Sequence, residues 1–598
     1  MSDLELIRRY EPIARFTEGE MFFPMAVDEY VKSCSLWITD STGIEQLIVP
    51  EGELDLGLLA SYGRVPHGHT VHLRFVAEPM AGIRYRVWLA RKKVKFRASG
   101  RMARVPLLSR LVDSLLNLSL AVRGKVPGGT AAAADLRYRR VRRLDPRRAY
   151  YGRVVRQAGW VVLHYLFFYP MNNWRSGFSG VNDHEADWEQ MFVYLYESES
   201  GVLEPRWVAY ASHEFTGDDL RRRWDDPMIV KEGSHPVVFV GAGSHSGYFE
   251  QGEYLMGAAP QFLTPLRDAL SSARRYWVRG LGMVEAPVAD QFSVLQVPFV
   301  DYARGDGLSI GPGQQEEWSP VMIEGEEPWA HGYRGLWGLD TQDPIEGERA
   351  PAGPKYNRDG SIRLSWLRPL AWAGLDKQYP PSDVPKQIQQ RVSAITHEIQ
   401  DLNHLSQKRR AELRTLALEV RALEADGKFG ALYDKKMRKL VSREGDLQQL
   451  QVQKSGLAEV KDALETYLKR VEGGERRPPE AHLRRSHHPE PSVGKRSRII
   501  ETWAAVSAAL ILLGILALLL VRPPNWPILA LGFAFGIGAI EAVTRRWFIR
   551  YLMQLTLVLA IISALVLLVE FWQAALMLAI GGLALFILRE NLRELASN

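Results

Sequence analysis

The run Asn182-Asp183-His184-Glu185-Ala186-Asp187-Trp188-Glu189 sets two carboxylates two residues apart and an imidazole three residues before the first of them. If this run enters a strand, alternation sends Asp187 and Glu189 to one face and Trp188 to the other. His184 then sits in the preceding turn, close enough to converge on the same point. Two carboxylates and one neutral nitrogen suit a hard divalent cation such as Mg²⁺, Ca²⁺ or Mn²⁺. The same pattern also fits an exposed strand face with a capping histidine, and spacing alone leaves both readings open. A second constellation is His235-Pro236-Val237-Val238-Phe239-Val240-Gly241-Ala242-Gly243-Ser244-His245-Ser246-Gly247, an apolar run delivering a Gly-rich turn. It is not a hydrolase elbow, because His rather than Ser occupies the centre of Gly243-x-x-x-Gly247. Nor is it a dinucleotide fingerprint, since Ser246 stands where the third glycine belongs. His213, Ser244 and His245 are candidates for ligand contact or for supporting the cation site; each taken singly is more often structural.

The segments that must hold these residues alternate short apolar runs with Gly, Pro, Asn and Asp turns. Val71 to Val76, Val161 to Tyr169, Met191 to Tyr196, Pro236 to Val240 and Phe292 to Val300 are of this kind. They predict a mainly β unit over residues 1–380, a β-sandwich rather than a doubly wound sheet.

In segment order this region resembles the vacuolar protein sorting-associated protein 62 family. The matching pieces are Arg9-Tyr10-Glu11-Pro12-Ile13-Ala14-Arg15-Phe16 with Glu20, Phe22, Phe23 and Pro24, Tyr165 to Asn172, His184 to Glu189, and His235 to Tyr248. Gly335-Leu336-Trp337-Gly338 follows, with Gly353-Pro354, Trp366 and Pro369. The His184-x-x-Asp187-Trp188-Glu189 core is also similar to the heptapeptide of the necrosis- and ethylene-inducing-like cytolysins. That resemblance implies a β-sandwich with a cation in an acidic pocket that engages membrane sphingolipid heads. It implicates His184, Asp187 and Glu189 as ligands or near-ligands. Asp183, Glu185 and Ala186 depart from the cytolysin pattern of Gly, Arg and His.

The unit is interrupted at about residues 84–148 by a strongly basic insertion. It carries 19 Lys and Arg against 3 Asp and Glu, a net +16 that leaves −10 for the rest of a chain whose total is +6. Within it Leu107, Leu108, Leu111, Leu115, Leu118 and Val122 are spaced for one helical face, downstream of Arg91, Lys92 and Lys93. A cationic segment with an apolar face, held near an anionic leaflet, predicts contact with the membrane surface. Nucleic-acid binding is the alternative for such charge density, and an extra helix with a solvated basic rim is the third.

Residues 383–472 predict two long helices. Val392, Ile395, Ile399, Leu402, Leu413, Leu416, Val420 and Leu423 follow four-three spacing, with Ser406 and Arg409 as polar interruptions. Ala425 to Gly430 breaks the run, and Met437, Leu440, Leu447, Leu450, Leu457, Val460, Leu464 and Leu468 resume it. An antiparallel coiled-coil hairpin of about 60 Å at 1.5 Å per residue is expected, with a parallel homo-oligomer as the rival. Residues 473–498 read as a flexible basic linker. Its His482, His487 and His488 fit solvated linker side chains better than metal ligands.

Residues 499–598 are a membrane region of about four helices. Trp503 to Val521, Ile528 to Ile540, Leu552 to Val569 and Ala574 to Leu588 are almost free of charge, and a bilayer core of about 30 Å needs roughly 20 such residues. Lys495, Arg496 and Arg498 precede the first span, and Arg545, Arg546 and Arg550 lie between the second and third. This asymmetry predicts a cytoplasmic soluble region and C-terminus.

At 598 residues, with 46% hydrophobic and 24% charged residues, the chain has room for about three or four domains. Cys34 is its one cysteine, which excludes intramolecular disulfides and cysteine metal clusters and suits a reducing compartment. The opening residues lack the apolar core of a secretory signal. The leading expectation is a membrane-anchored, divalent-cation-dependent binding or membrane-remodelling protein that contacts lipid heads or glycans. A metal-dependent hydrolase using His184 or His245 as general base is the second. The regulatory domain of a channel or transporter is the third, weakened by the scarcity of ionisable residues in the spans apart from Glu541.

Overall fold

The computed structural model describes residues 1–63, 68–91, 107, 110–111, 129–174, 183–212, 217–258, 297–324, 327–339, 349–475, 478–479, 488–489 and 497–596. The N-terminal region is β-rich. Its largest sheet runs in sequence order through β5 (Arg148–Gln157), β6 (Trp160–Asn172), β7 (His184–Glu197), β8 (Leu203–Tyr210) and β9 (Arg221–Arg223). These neighbours are antiparallel, and β16 (Trp318–Met322) adds in parallel beside β5. In a second sheet β1 (Ile13–Arg15) lies between β11 (His235–Val240), which is parallel to it, and β15 (Ser309–Ile310). The short β10 (Lys231–Glu232) and β12 (Gly247–Tyr248) pair with β11. A third sheet joins β2 (Ser35–Thr39), β3 (Glu45–Val49) and β4 (Thr70–Arg74), and β13 (Gly252–Ala258) pairs with β14 (Val297–Ala303).

The long unbroken apolar run of β6 follows from burial on both faces. On one face Leu163, Tyr165, Phe167 and Tyr169 share a core with Ala14, Val238, Val240 and Ile310 of the β1–β11–β15 sheet. On the other, Leu166 and Phe168 join Leu36, Val71 and Leu73 of the third sheet. Further along that face Trp160 and Val162 pack with Leu370, Ala373 and Leu375. A strand covered on both sides cannot show polar alternation, so β6 reads as continuous hydrophobicity.

The basic insertion begins and ends in helices, α1 (Gly82–Arg91) and α2 (Gly129–Leu144). Ala131, Ala134, Tyr138 and Val141 pack α2 onto the core beneath the third sheet. Trp88 donates its indole N–H to Asp135 at 2.9 Å and so ties α1 to α2.

Farther along come α3 (Val384–Asp426) and α4 (Gly430–Glu472), each of 43 residues. Gly427 between them adopts φ +65°, the left-handed geometry that glycine adopts without strain. The helices pair antiparallel: Asn403 meets Lys454 at 3.1 Å, and Glu419 meets Lys436 at 2.6 Å. Ile388, Ile395, Leu402, Leu416 and Val420 are buried on α3, whereas α4 has no buried residue.

Four C-terminal helices are long and apolar enough to cross a membrane: α5 (Ser497–Val521), α6 (Trp526–Thr544), α7 (Phe548–Glu570) and α8 (Trp572–Ala596). The second and fourth apolar runs look short in sequence, but α6 and α8 are extended by Trp526–Pro527 and by a polar last turn. One contact was invisible to periodicity. Arg110 of the basic insertion is fully buried and pairs with Glu541 of α6 at 2.5 Å. Arg110 also donates to Ser507 of α5 at 2.7 Å. Trp503 Nε1 and Arg545 complete the shell of Glu541 at 2.6 and 2.5 Å.

Candidate functional site

The site is assembled by four segments whose positions follow from strand register. In the β6–β7 ladder Tyr169 stands opposite Asp187, Phe168 opposite Trp188 and Phe167 opposite Glu189. Trp188 therefore enters the aromatic core of Tyr151, Phe168, Trp329 and Trp337. Asp187 and Glu189 face the other way, toward the turn that leaves β11.

That turn, Gly241 to Ser246, is pinned at both ends. The Gly241 N–H donates to the Ser246 carbonyl at 2.9 Å and the His245 N–H to the Gly241 carbonyl at 3.0 Å. Asn173, just past β6, donates its N–H to the Gly243 carbonyl at 3.0 Å. Gly243 has φ +76°, and a Cβ there would meet the Asn173 carbonyl oxygen at 2.2 Å, so only glycine fits. His245 itself adopts φ +59°, an uncommon conformation for a residue with a Cβ, held here by the surrounding bonds.

The fourth segment follows β1 and brings Glu20. One oxygen accepts the Gly243 N–H at 2.8 Å. The other accepts the N–H groups of Met21 and Phe22 at 2.6 and 3.0 Å. His245 then lies between two carboxylates. Its Nδ1 meets Asp187 Oδ2 at 2.8 Å, and its Nε2 stands 3.9 Å from Glu20 Oε1. Tyr169 stacks flat on the imidazole at 3.8 Å and 6°. Asn172 donates a further bond to Asp187 at 3.1 Å.

Burial works against a charged imidazole, but the bond to Asp187 and the nearby Glu20 carboxylate outweigh it and hold the His245 pKa up to about 9. The two carboxylates thus favour the protonated ring of His245. The hydroxyl of Tyr169 is pushed well above its ordinary value by burial first, and then by Glu189, Asp187 and Glu20. Three carboxylates therefore act on one small volume. Beside it lies a narrow cavity of about 20 Å³, room for about one water, bordered by Tyr169, Glu189, Gln190, Tyr210, Val238 and His245. Several polar atoms around the turn are buried without a hydrogen-bond partner among the described residues. They are Nε2 of His245, Oγ of Ser244 and Ser246, and Oδ1 of Asn173.

The candidates from sequence are distributed as follows. Asp187 and His245 come together, Glu189 borders the cavity beside them, and Ser244 is buried in the same turn as His245. His184 is buried, and its Nδ1 donates to the Ala186 carbonyl at 2.8 Å. His213 lies outside the described residues. Among the described residues, no group of three His, Cys, Asp or Glu is placed so as to hold a metal ion. Of the insertion residues, Arg91 is exposed and Leu107 and Leu111 are half-buried. Lys92, Lys93, Leu108 and Leu115 lie outside the described residues.

Two acidic residues with large roles were not singled out by spacing. Glu20 lies more than 150 positions from Asp187 in the chain, and only the parallel pairing of β1 with β11 brings it in. Glu185, within the motif, is fully buried and points to the core rather than the site. It accepts the N–H groups of Val76 at 2.7 Å, Phe75 at 2.9 Å and Leu339 at 3.0 Å. Burial raises its pKa, and the three N–H donors act in the opposite direction. Ala186, at φ +59°, is the irregularity that lets Glu185 and Asp187 serve different surroundings.

No family model matches the chain, so the resemblance to the vacuolar protein sorting-associated protein 62 family rests on its motifs alone. No curated protein matches either. Similar solved structures include NLPPya in complex with glucosamine, at 18% identity and a TM-score of 0.14 over 17% of this chain and 44% of that one. Another, described as a toxin fold for microbial attack and plant defense, has 18% identity and a TM-score of 0.13 over 15% and 38%. Necrosis and ethylene inducing protein 2 from the causal agent of cocoa's witches' broom disease has 21% identity and a TM-score of 0.13 over 16% and 39%. The likeness is weak and partial: this chain matches less than half the length of each.

Proposed function

We propose that this protein is a membrane-anchored, non-catalytic binding protein whose β-rich unit, read as a sandwich, takes a divalent cation and through it a lipid head group or glycan. The observation that supports this is the pair of orphaned hydroxyls of Ser244 and Ser246, in the turn whose His245 is flanked by the carboxylates of Asp187 and Glu20. Buried polar atoms in folded proteins have partners, and an acidic setting favours a cation with its water as that partner. Asp187 and Glu189 share a strand face. The bond from His184 Nδ1 to a carbonyl supports its use of Nε2 as a ligand. Mg²⁺, Ca²⁺ or Mn²⁺ suits the oxygen-rich set. The hydrolase reading fares less well at His245, because Asp187 and Glu20 favour its protonated form, the opposite of what a general base needs. In this reading the paired helices α3 and α4 form a coiled-coil hairpin that spaces the unit from the bilayer, with the soluble region and C-terminus cytoplasmic.

The test is titration calorimetry of the full chain in detergent with Ca²⁺, Mg²⁺ and Mn²⁺. One saturable site is expected, and metal at 100 times its Kd should stabilise the fold by about 2.7 kcal/mol. Asp187→Asn and Glu189→Gln should each remove the heat of binding while the metal-free melting curve remains cooperative. Wild-type metal affinity in both variants would overturn the assignment.

Sidedness has its own measurement. Cys34 is buried, so background thiol labelling is low. A cysteine replacing Asn525 should be labelled by an impermeant reagent from outside the cell, and one replacing Ala596 should not. Strong external labelling at position 596 would reverse the orientation.

A further inference from the structure

Between α1 and α2 runs an open groove of about 390 Å³. Its floor is apolar: Ile83, Val87 and Leu136 line it with 80%, 42% and 40% of their surface exposed. On α1, Arg84, Val87, Trp88 and Arg91 recur at i, i+3, i+4 and i+7, so two guanidinium groups flank one apolar strip. Arg139 on the opposite wall is already engaged by Asp135 at 2.9 Å. Arg84 and Arg91 line the groove, and neither makes an ion pair or hydrogen bond among the described residues.

We propose that this groove binds one anionic phospholipid of the adjoining leaflet, an acyl chain lying on Ile83, Val87 and Leu136 and the phosphate between Arg84 and Arg91. Exposed apolar side chains beside two cations that no described residue pairs complement an amphiphile that is itself apolar at one end and anionic at the other. The insertion joining α1 to α2 supplies the second, independent observation. Its Arg110, 19 positions from either wall of the groove, is buried against Glu541 and Ser507 of the membrane helices. The segment that joins the groove's two walls therefore meets the apolar helices, which favours a bilayer lipid over a soluble fatty acid as the occupant. This site is separate from the Asp187–His245 cluster and needs no divalent cation.

The experiment uses the full chain in nanodiscs containing either photoactivatable phosphatidylglycerol or photoactivatable phosphatidylcholine, in excess EDTA, with crosslinks mapped by peptide mass. Crosslinks to residues 80–91 and 136–139 should be strongly enriched with phosphatidylglycerol and should weaken as salt is raised. Arg84→Gln with Arg91→Gln should lower apparent affinity about thirtyfold, the effect of two surface cations. Arg84→Lys with Arg91→Lys should keep most of it. Ile83→Asp with Val87→Asp, both on exposed positions, should abolish it. Equal crosslinking by phosphatidylcholine, or retention of the signal in the Gln and Asp variants, would overturn the proposal. So would competition by free oleate with no phospholipid crosslink. Loss of the crosslink in EDTA would assign lipid capture to the cation site instead and refute a separate groove. Persistence in EDTA supports the groove whatever becomes of the metal titration.

Discussion

Removing Arg110 is expected to destabilise the protein more than any other single change in the insertion. Its guanidinium is fully shielded and paired with Glu541, whose side chain is 4% exposed, at 2.5 Å. Truncating one partner of a buried ion pair leaves the other charge desolvated and unpaired, which costs about 3–5 kcal/mol. Arg110→Ala and Glu541→Ala should each show losses of that order in denaturant or thermal unfolding of the full chain in micelles. Glu541→Ala should be the worse of the two, because Arg545 and Trp503 also bond to that carboxylate. Combining Arg110→Met with Glu541→Leu should cost clearly less than the sum of the two truncations, since apolar replacements remove both desolvated charges at once. Additive losses below about 1 kcal/mol would mean that the pair is solvated like an ordinary surface bridge. The insertion would then not be fastened to α5 and α6.

The second large effect is expected at Glu185. Its carboxylate closes three backbone N–H groups, from Phe75, Val76 and Leu339, in a core without solvent access. Each orphaned buried donor costs roughly 1–3 kcal/mol. Glu185→Ala orphans three together, a loss comparable with the roughly 5–15 kcal/mol that holds a domain folded. The β-rich unit of this variant should be largely unfolded, seen as lost near-ultraviolet circular dichroism and as rapid amide exchange along β4 and β7. Glu185→Gln keeps one accepting oxygen and should be folded but destabilised. If Glu185→Ala lies within about 1 kcal/mol of wild type, the carboxylate is not the clamp that joins β4, β7 and Leu339.

Much of the architecture could be read from residue type and order. The apolar runs of α5 to α8 were legible as helices long enough to cross a membrane, because almost no charge interrupts them and their length matches the bilayer core. The runs Val161 to Tyr169, Met191 to Tyr196 and Pro236 to Val240 fall within β6, β7 and β11. Period-two alternation put Asp187 and Glu189 on one face and Trp188 on the other, as the β6–β7 register has them. The long helices were legible from spacing as α3 and α4, but the lack of any buried residue on α4 was not. Spacing records which residues share a face and says nothing of how closely a partner covers it.

What sequence determined by itself, then, was everything governed by neighbours along the chain: strands, helices, the Gly-rich turn at residues 241–247 and the charge asymmetry around the spans. The tertiary structure alone decided the pairings between distant segments. Glu20 reaches His245 only because β1 lies parallel to β11. Arg110 reaches Glu541 across more than 400 positions. Glu185, one residue from a left-handed Ala186, faces backbone amides rather than the cation candidates beside it. The physical reason is common to all three. A buried charge must find its counterpart in space, and that counterpart leaves no period, spacing or composition in the local sequence by which to find it.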